Sequence, residues 1–133
     1  MAANRYVRAG KYGSIDKADF FGKANDETAV ILQVEGQDGV QALPDILKVK
    51  GFDVLFVGPY DLSASLGIPG QVNHPKVIAQ MEEIMRQAKE VGVAVGFFCD
   101  DVATAVEWKN RGVQYVSFSS DIGQLYERFK EAA

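Results

Sequence analysis

The sequence predicts an α/β fold built around a parallel sheet, and three observations predict it. Four short runs are almost continuously apolar and rich in β-branched and aromatic residues, as in strands of a parallel sheet buried on both faces. Segments with apolar residues at three- and four-residue steps separate these runs. The two patterns alternate to the end of the chain, an order that requires parallel strands joined by crossover helices.

The first strand is predicted at TAVILQVE, residues 28–35. Before it, the segment around IDKADFFGKAN reads as irregular or helical. After it, Val40, Leu43, Ile46 and Leu47 mark helical positions, and Pro44 divides them into two short helices because its ring cannot sit inside one. FDVLFVG, residues 52–58, is the second strand; it runs into the Gly58-Pro59 turn and a carboxylate, Asp61. The clearest helix covers residues 75–91, with Val77, Ile78, Met81, Ile84, Met85 and Ala88 on one stripe. Asn73 is the expected N-cap, Pro75 suits the first turn, and Gly92 suits the C′ stop. The third strand is VAVGFFCD, residues 93–100, followed by a helix that Asp100 or Asp101 caps, that carries Ala105, Val106 and Trp108, and that Gly112 ends. VQYVSFSS, residues 113–120, is the fourth strand, and Ile122, Leu125 and Phe129 give a last amphipathic helix.

Composition narrows the function. The 133 residues suit a single domain, residues 1–133, with one core. Fourteen basic against eighteen acidic residues give a net charge of −4, which argues against nucleic acid and anionic membrane as partners. No apolar run reaches bilayer length. The N-terminal MAANRYVRAGKYG has basic residues with no apolar stretch behind them, so a secretory signal is not expected. A single cysteine, Cys99, cannot form an internal disulfide and fits a cytoplasmic setting. Two architectures use this alternation: an open doubly wound sheet, and a (β/α)8 barrel of roughly 250 residues. Length alone favours the open sheet.

Sites in parallel α/β folds gather at the C-terminal ends of strands. The four strand exits deliver Gln33 and Glu35; Gly58, Pro59, Tyr60 and Asp61; Cys99, Asp100 and Asp101; and Ser119, Ser120 and Asp121. This rim is acidic, and no lysine within a strand could form a Schiff base. Two carboxylates on neighbouring strand ends, Glu35 and Asp61, suit a hard cation such as Mg²⁺, Mn²⁺ or Co²⁺. A chelating 2-keto acid could complete the coordination, the ion then acting as Lewis acid. Plainer roles compete: Asp61 as a cap of the helix at LSAS, Glu35 as a solvated strand end, Gln33 as a core amide, and Asp100, Asp101 and Asp121 as caps. His74 before Pro75 reads as structural, and Cys99 as a small core hydrophobe.

The segment ILQVEGQDGVQALPDILKVKGFDVLFVGPYDLSASLGIPGQVNHPKV carries three blocks in order: QVE on one strand, GFDVLFVGPYDLS on the next, and GQVNHP before a long helix. Together they strongly resemble the HpcH/HpaI aldolase family, which includes 2,4-dihydroxyhept-2-ene-1,7-dioate and 2-keto-3-deoxy sugar acid aldolases and has macrophomate synthase as a relative. The resemblance runs from about Arg8 to the last helix. It implies the C-terminal half, the last four βα units, of a TIM (β/α)8 barrel of the phosphoenolpyruvate/pyruvate-binding type. It also implies a homo-oligomer, commonly hexameric, and a class II lyase that uses a divalent metal to form pyruvate enolate in reversible aldol cleavage to a keto acid and an aldehyde. Glu35 and Asp61 match the family's metal ligands, and Gln33 matches a residue that contacts pyruvate. Tyr60 and Asp61 match positions whose backbone N–H groups hold the substrate carboxylate.

The chain also departs from the family. The histidine base, its supporting aspartate and the arginine on the enolate oxygen belong to the family's N-terminal half, so no catalytic residue of that kind is expected here. Gly36 follows QVE where Thr or Ser is common, and the fourth strand ends SFSSD where many members have Gly two residues before the aspartate. Two further functions stay open: a non-catalytic half-barrel that self-associates and at most binds metal or keto acid, and an unrelated open α/β binding domain.

Overall fold

A computed structural model describes residues 6–132. The reading of the extreme N-terminus as no secretory signal rests partly on residues 1–5, which lie outside the described residues. An irregular 3-10 segment, Arg8–Gly13, precedes α1, Lys17–Lys23, whose N-cap is Asp16. There follow β1 (Ile31–Val34), α2 (Gln37–Gln41), α3 (Leu43–Ile46), β2 (Val54–Val57), α4 (Pro59–Ser65), α5 (Pro75–Glu90), β3 (Ala94–Cys99), α6 (Val102–Arg111), β4 (Tyr115–Phe118) and α7 (Asp121–Ala132). Pro44 stands in the first turn of α3, so the predicted division into two short helices is present.

All three strand pairs are parallel, and the order is β1-β2-β3-β4. A doubly wound sheet reverses its strand order at a switch point. This one never reverses, so the open architecture favoured by length is not the one formed. Register sorts the strand side chains. Leu32, Leu55 and Val95 lie in one row, and Val34, Val57, Phe97 and Val116 in the next. Most of these are buried and join the helical stripe Val77, Met81, Ile84 and Ala88, together with Leu43, Leu62 and Trp108, in one core.

The opposite face is less covered than predicted. It carries Ile31 and Gln33, Val54 and Phe56, Gly96 and Phe98, and Tyr115 and Ser117. Ile31 and Tyr115 remain 39% and 43% exposed. The strands were expected to be buried on both faces; only the helical layer buries one. Gly96 lets two rings close over this inner face. A Cβ there would stand 2.7 Å from the Tyr115 ring and 2.9 Å from the Phe56 ring. Those rings meet edge to face, 6.0 Å between centroids.

Turn chemistry sets the element ends. The N-cap of α5 is His74, not Asn73: its Nδ1 accepts from the Lys76 N–H at 3.2 Å. Pro75 takes the first helical position, and Gly92, at φ 75°, supplies the left-handed stop. Gly112 ends α6 the same way at φ 109°. Asp53 pins β2 to the approach of β1, its carboxylate accepting from the Val30 N–H at 2.7 Å.

Candidate active site at the strand exits

The first strand brings two predicted site residues together. Gln33 and Glu35 are two apart, so both face the inner side, and the Gln33 amide donates from Nε2 to Glu35 Oε2. Gly58, at the exit of β2, packs directly against this pair. A Cβ at Gly58 would fall 2.8 Å from Glu35 Oε2 and 3.2 Å from Gln33 Nε2. A side chain at this position would make the Glu35 carboxylate or the Gln33 amide shift, so the glycine of the Gly-Pro turn lets this pair stand where it does.

Pro59 then opens α4, and Tyr60 and Asp61 complete its first turn. Asp61 does not cap the helix: the N-cap is Gly58, and no side chain caps it. The Asp61 side chain is exposed and makes no hydrogen bond or ion pair among the described residues. The turn is held from below by Ser63, which is fully buried. Its hydroxyl donates to the Tyr60 carbonyl at 2.6 Å and accepts from the Gly70 N–H at 2.9 Å.

Tyr60 reaches the third strand. Its phenol donates to Asp100 Oδ2 at 2.7 Å, and its ring stands edge-on to Phe98 at 6.3 Å. That hydrogen bond to Asp100, then burial, pushes the Tyr60 phenol above its ordinary range. Asp100 is therefore a partner of Tyr60, not a helix cap. Asp101 is the cap of α6, accepting from the Thr104 N–H at 2.8 Å and from its hydroxyl at 2.7 Å; these bonds lower its carboxyl. Asp121 accepts only from its neighbour Ile122, while the Ser120 hydroxyl accepts from the Gly123 N–H at 3.1 Å in the first turn of α7. Cys99 lies buried in the core, and burial first, then Asp101 and Asp100, raises its thiol, so it is no ready nucleophile.

Sequence reasoning placed Gly58 at the strand exit without its packing against Glu35, and it missed Ser63 and the Tyr60–Asp100 bond. The Gly-Pro dipeptide signalled a turn, but not what the turn makes room for. A cavity of about 360 Å³ lies at the other end of the sheet, where Arg86, Lys89 and Arg111 meet Glu82. Its two arginines are paired with Glu82, Glu83, Glu90 and Glu107, and it has no relation to the strand exits.

The sequence model of HpcH/HpaI aldolase/citrate lyase matches residues 4–127. The chain belongs to the HpcH/HpaI family. Within it, the chain is 36% identical over 126 residues to the hydroxypyruvate/pyruvate aldolase of Paraburkholderia phytofirmans, covering 95% of this chain and 48% of the relative. It is 37% identical over 115 residues to the 2-keto-3-deoxy-L-rhamnonate aldolase of Klebsiella pneumoniae, covering 86% of this chain and 42% of the relative. The crystal structure of an HpcH/HpaI family protein from Burkholderia cenocepacia superposes with a TM-score of 0.83 at 38% identity, over 97% of this chain and 49% of that one. This HpcH/HpaI chain thus spans about half the length of the relatives it matches. Its four parallel βα units are half of a TIM barrel, and the thinly covered face of the sheet is the face such a barrel turns inward.

A divalent ion is the cofactor the resemblance implies, and the donor set fits one. Glu35 and Asp61 are hard oxygen donors at neighbouring strand exits, the donor type such an ion takes. Among the described residues no three His, Cys, Asp or Glu side chains converge. The protein would supply a pair, and water and substrate the rest, as hard octahedral ions accept.

Proposed function

We propose that this chain forms the metal- and keto-acid-binding half of a class II aldolase, a carbon–carbon lyase that cleaves 4-hydroxy-2-oxo acids to pyruvate and an aldehyde. One observation carries the reading: Glu35, oriented by Gln33 and given room by Gly58, stands one strand away from an Asp61 that has no structural partner. Glu35 and Asp61 would hold Mg²⁺, Mn²⁺ or Co²⁺. A bound dication supplies Lewis acidity at the keto oxygen and stabilises the charge of the enolate. The Gln33 amide touches the keto acid. The first-turn N–H groups of Tyr60 and Asp61, which have no intrahelical acceptor, receive its carboxylate.

The histidine and arginine that the family resemblance assigns to proton transfer and charge stabilisation have no counterpart in this chain. Full turnover therefore requires the other four βα units. General acid–base help is typically worth about 10²–10⁴-fold. The buried free thiol of Cys99 supports a cytoplasmic setting.

The test is Mn²⁺-dependent thermal stabilisation with and without pyruvate. Glu35→Ala abolishes it, whereas unchanged Mn²⁺ affinity in that variant would remove Glu35 from the site.

A second reading is supported by the free edges of β1 and β4 and by the exposed inner-face residues Ile31 and Tyr115. Two copies related by a two-fold axis close one eight-stranded barrel and hide both edges. A discrete homodimer in sedimentation, with no pyruvate proton exchange in Mn²⁺, supports that non-catalytic assembly. Exchange in Mn²⁺ would sink it.

A further inference from the structure

The proposed ion site sets one requirement on the fold: Asp61 must be held in place although its own side chain makes no hydrogen bond or ion pair among the described residues. Its position is therefore that of the backbone in the first turn of α4. That helix has seven residues and no side-chain cap at its start, so little within it fixes this turn. The neighbours of Asp61 do so instead. Pro59 and Leu62 are buried and hold the turn to the core. Tyr60 is tied twice: its carbonyl accepts from the Ser63 hydroxyl at 2.6 Å, and its phenol donates to Asp100 Oδ2 at 2.7 Å. The second tie crosses from the exit of β2 to that of β3, its parallel neighbour. Phe98 flanks it, edge-on to the Tyr60 ring at 6.3 Å. Asp100 is itself fixed, between Cys99, the buried last residue of β3, and Asp101, the cap of α6. Both partners of the tie belong to this chain.

We propose that the hydrogen bond between Tyr60 and Asp100 positions Asp61 for the divalent ion, and that both are positioning residues which do not themselves touch the ion. The inference deepens the metal-site reading and rests on it. What Asp100 supplies is a fixed acceptor oxygen, and not its charge. Without the bond, the first turn of α4 has more freedom, and an arriving ion must order it at a cost in affinity. Partners that orient a metal ligand from behind are typically worth about 10–100-fold in metal affinity.

Mn²⁺ titration of the chain, paired with thermal unfolding in the absence of metal, tests it. Tyr60→Phe and Asp100→Ala are each expected to weaken Mn²⁺ binding about tenfold, the lower end of that range. The double variant should lose no more than either single one, because both changes remove the same bond. Asp100→Asn discards the charge but keeps an acceptor oxygen, so it should restore most of the affinity. A merely structural role would lower the unfolding temperature of both single variants and leave the Mn²⁺ affinity of the folded chain unmoved. Unmoved affinity in Tyr60→Phe, losses that add in the double variant, or a loss in Asp100→Asn as large as that in Asp100→Ala each overturns the positioning role. The last of these would make Asp100 act through its charge, and all three leave the Glu35 and Asp61 site standing. Absence of Mn²⁺ binding by the wild-type chain removes the site itself, and the positioning role with it.

Discussion

A single methyl group at position 58 would meet the Glu35 carboxylate. Because a Cβ at Gly58 would come 2.8 Å from Glu35 Oε2, Gly58→Ala must displace the carboxylate, the Gln33 amide, or both. The expected outcome is a loss of Mn²⁺ affinity of about tenfold or more, equivalent to about 1.4 kcal/mol, measured by Mn²⁺ titration. A second residue-scale effect concerns acid. Arg86 holds the Glu83 carboxyl at about 2 against an ordinary value of 4.5, first through its hydrogen bond to Glu83 and with help from Gln87. A depressed carboxyl contributes stability above its unfolded value, and that contribution is lost as pH falls from 4.5 toward 2. Carboxyl NMR should place the Glu83 midpoint near 2, and Arg86→Ala should return it toward 4.5. At this scale the sequence was legible where one strand supplies both partners, as with Gln33 and Glu35. It was not legible where partners come from different units. Tyr60 and Asp100 lie 40 residues apart, and only the parallel register of β2 and β3 makes them neighbours.

Element ends were readable wherever a side chain or a left-handed residue enforces them. Gly92 and Gly112 stop α5 and α6 where expected, and Asp101 starts α6. Asp101→Ala removes both Thr104 contacts and is expected to cost about 1 kcal/mol in chemical denaturation. Ser63→Ala leaves the Gly70 N–H without its acceptor beneath the site turn. It should cost about 1–3 kcal/mol, and it should also loosen Tyr60, whose carbonyl Ser63 holds. The start of α5 was misread because Asn is the better cap by type, whereas His74 is the residue placed next to Pro75 with an acceptor nitrogen free. Strand lengths were overestimated for a related reason. Apolar character continues through residues such as Phe52 and Val113, while ladder pairing stops sooner, and hydrophobicity cannot report pairing. The stripe of α7 was read correctly as a pattern, yet Ile122 and Phe129 are 71% and 73% exposed, so a pattern alone did not say whether anything covers it.

At the scale of the whole molecule, α/β alternation was readable, but composition could not choose between an open sheet and part of a barrel. The three family blocks already implied half a barrel, and the unreversed strand order agrees with it, because order is a property of the crossovers and not of any one segment. The same order ranks local stability. β2 and β3 are each paired on both sides, whereas β1 and β4 are paired on one side only. Amide exchange should therefore be slowest at Leu55, Val57, Val95 and Phe97, and markedly faster in β1 and β4. Uniform protection across all four strands would mean that the outer strands have found partners in solution.

The chain's one tryptophan gives that question an optical readout. Trp108 is buried, edge-on to Phe97 at 4.8 Å, with the Arg111 guanidinium 4.7 Å from its ring centre. It sits on the helical side of the sheet, away from the inner face. Its emission should redden when α6 lifts off β3, and stay constant when something merely lands on the opposite side. Fluorescence thereby separates unfolding from assembly in a single cuvette.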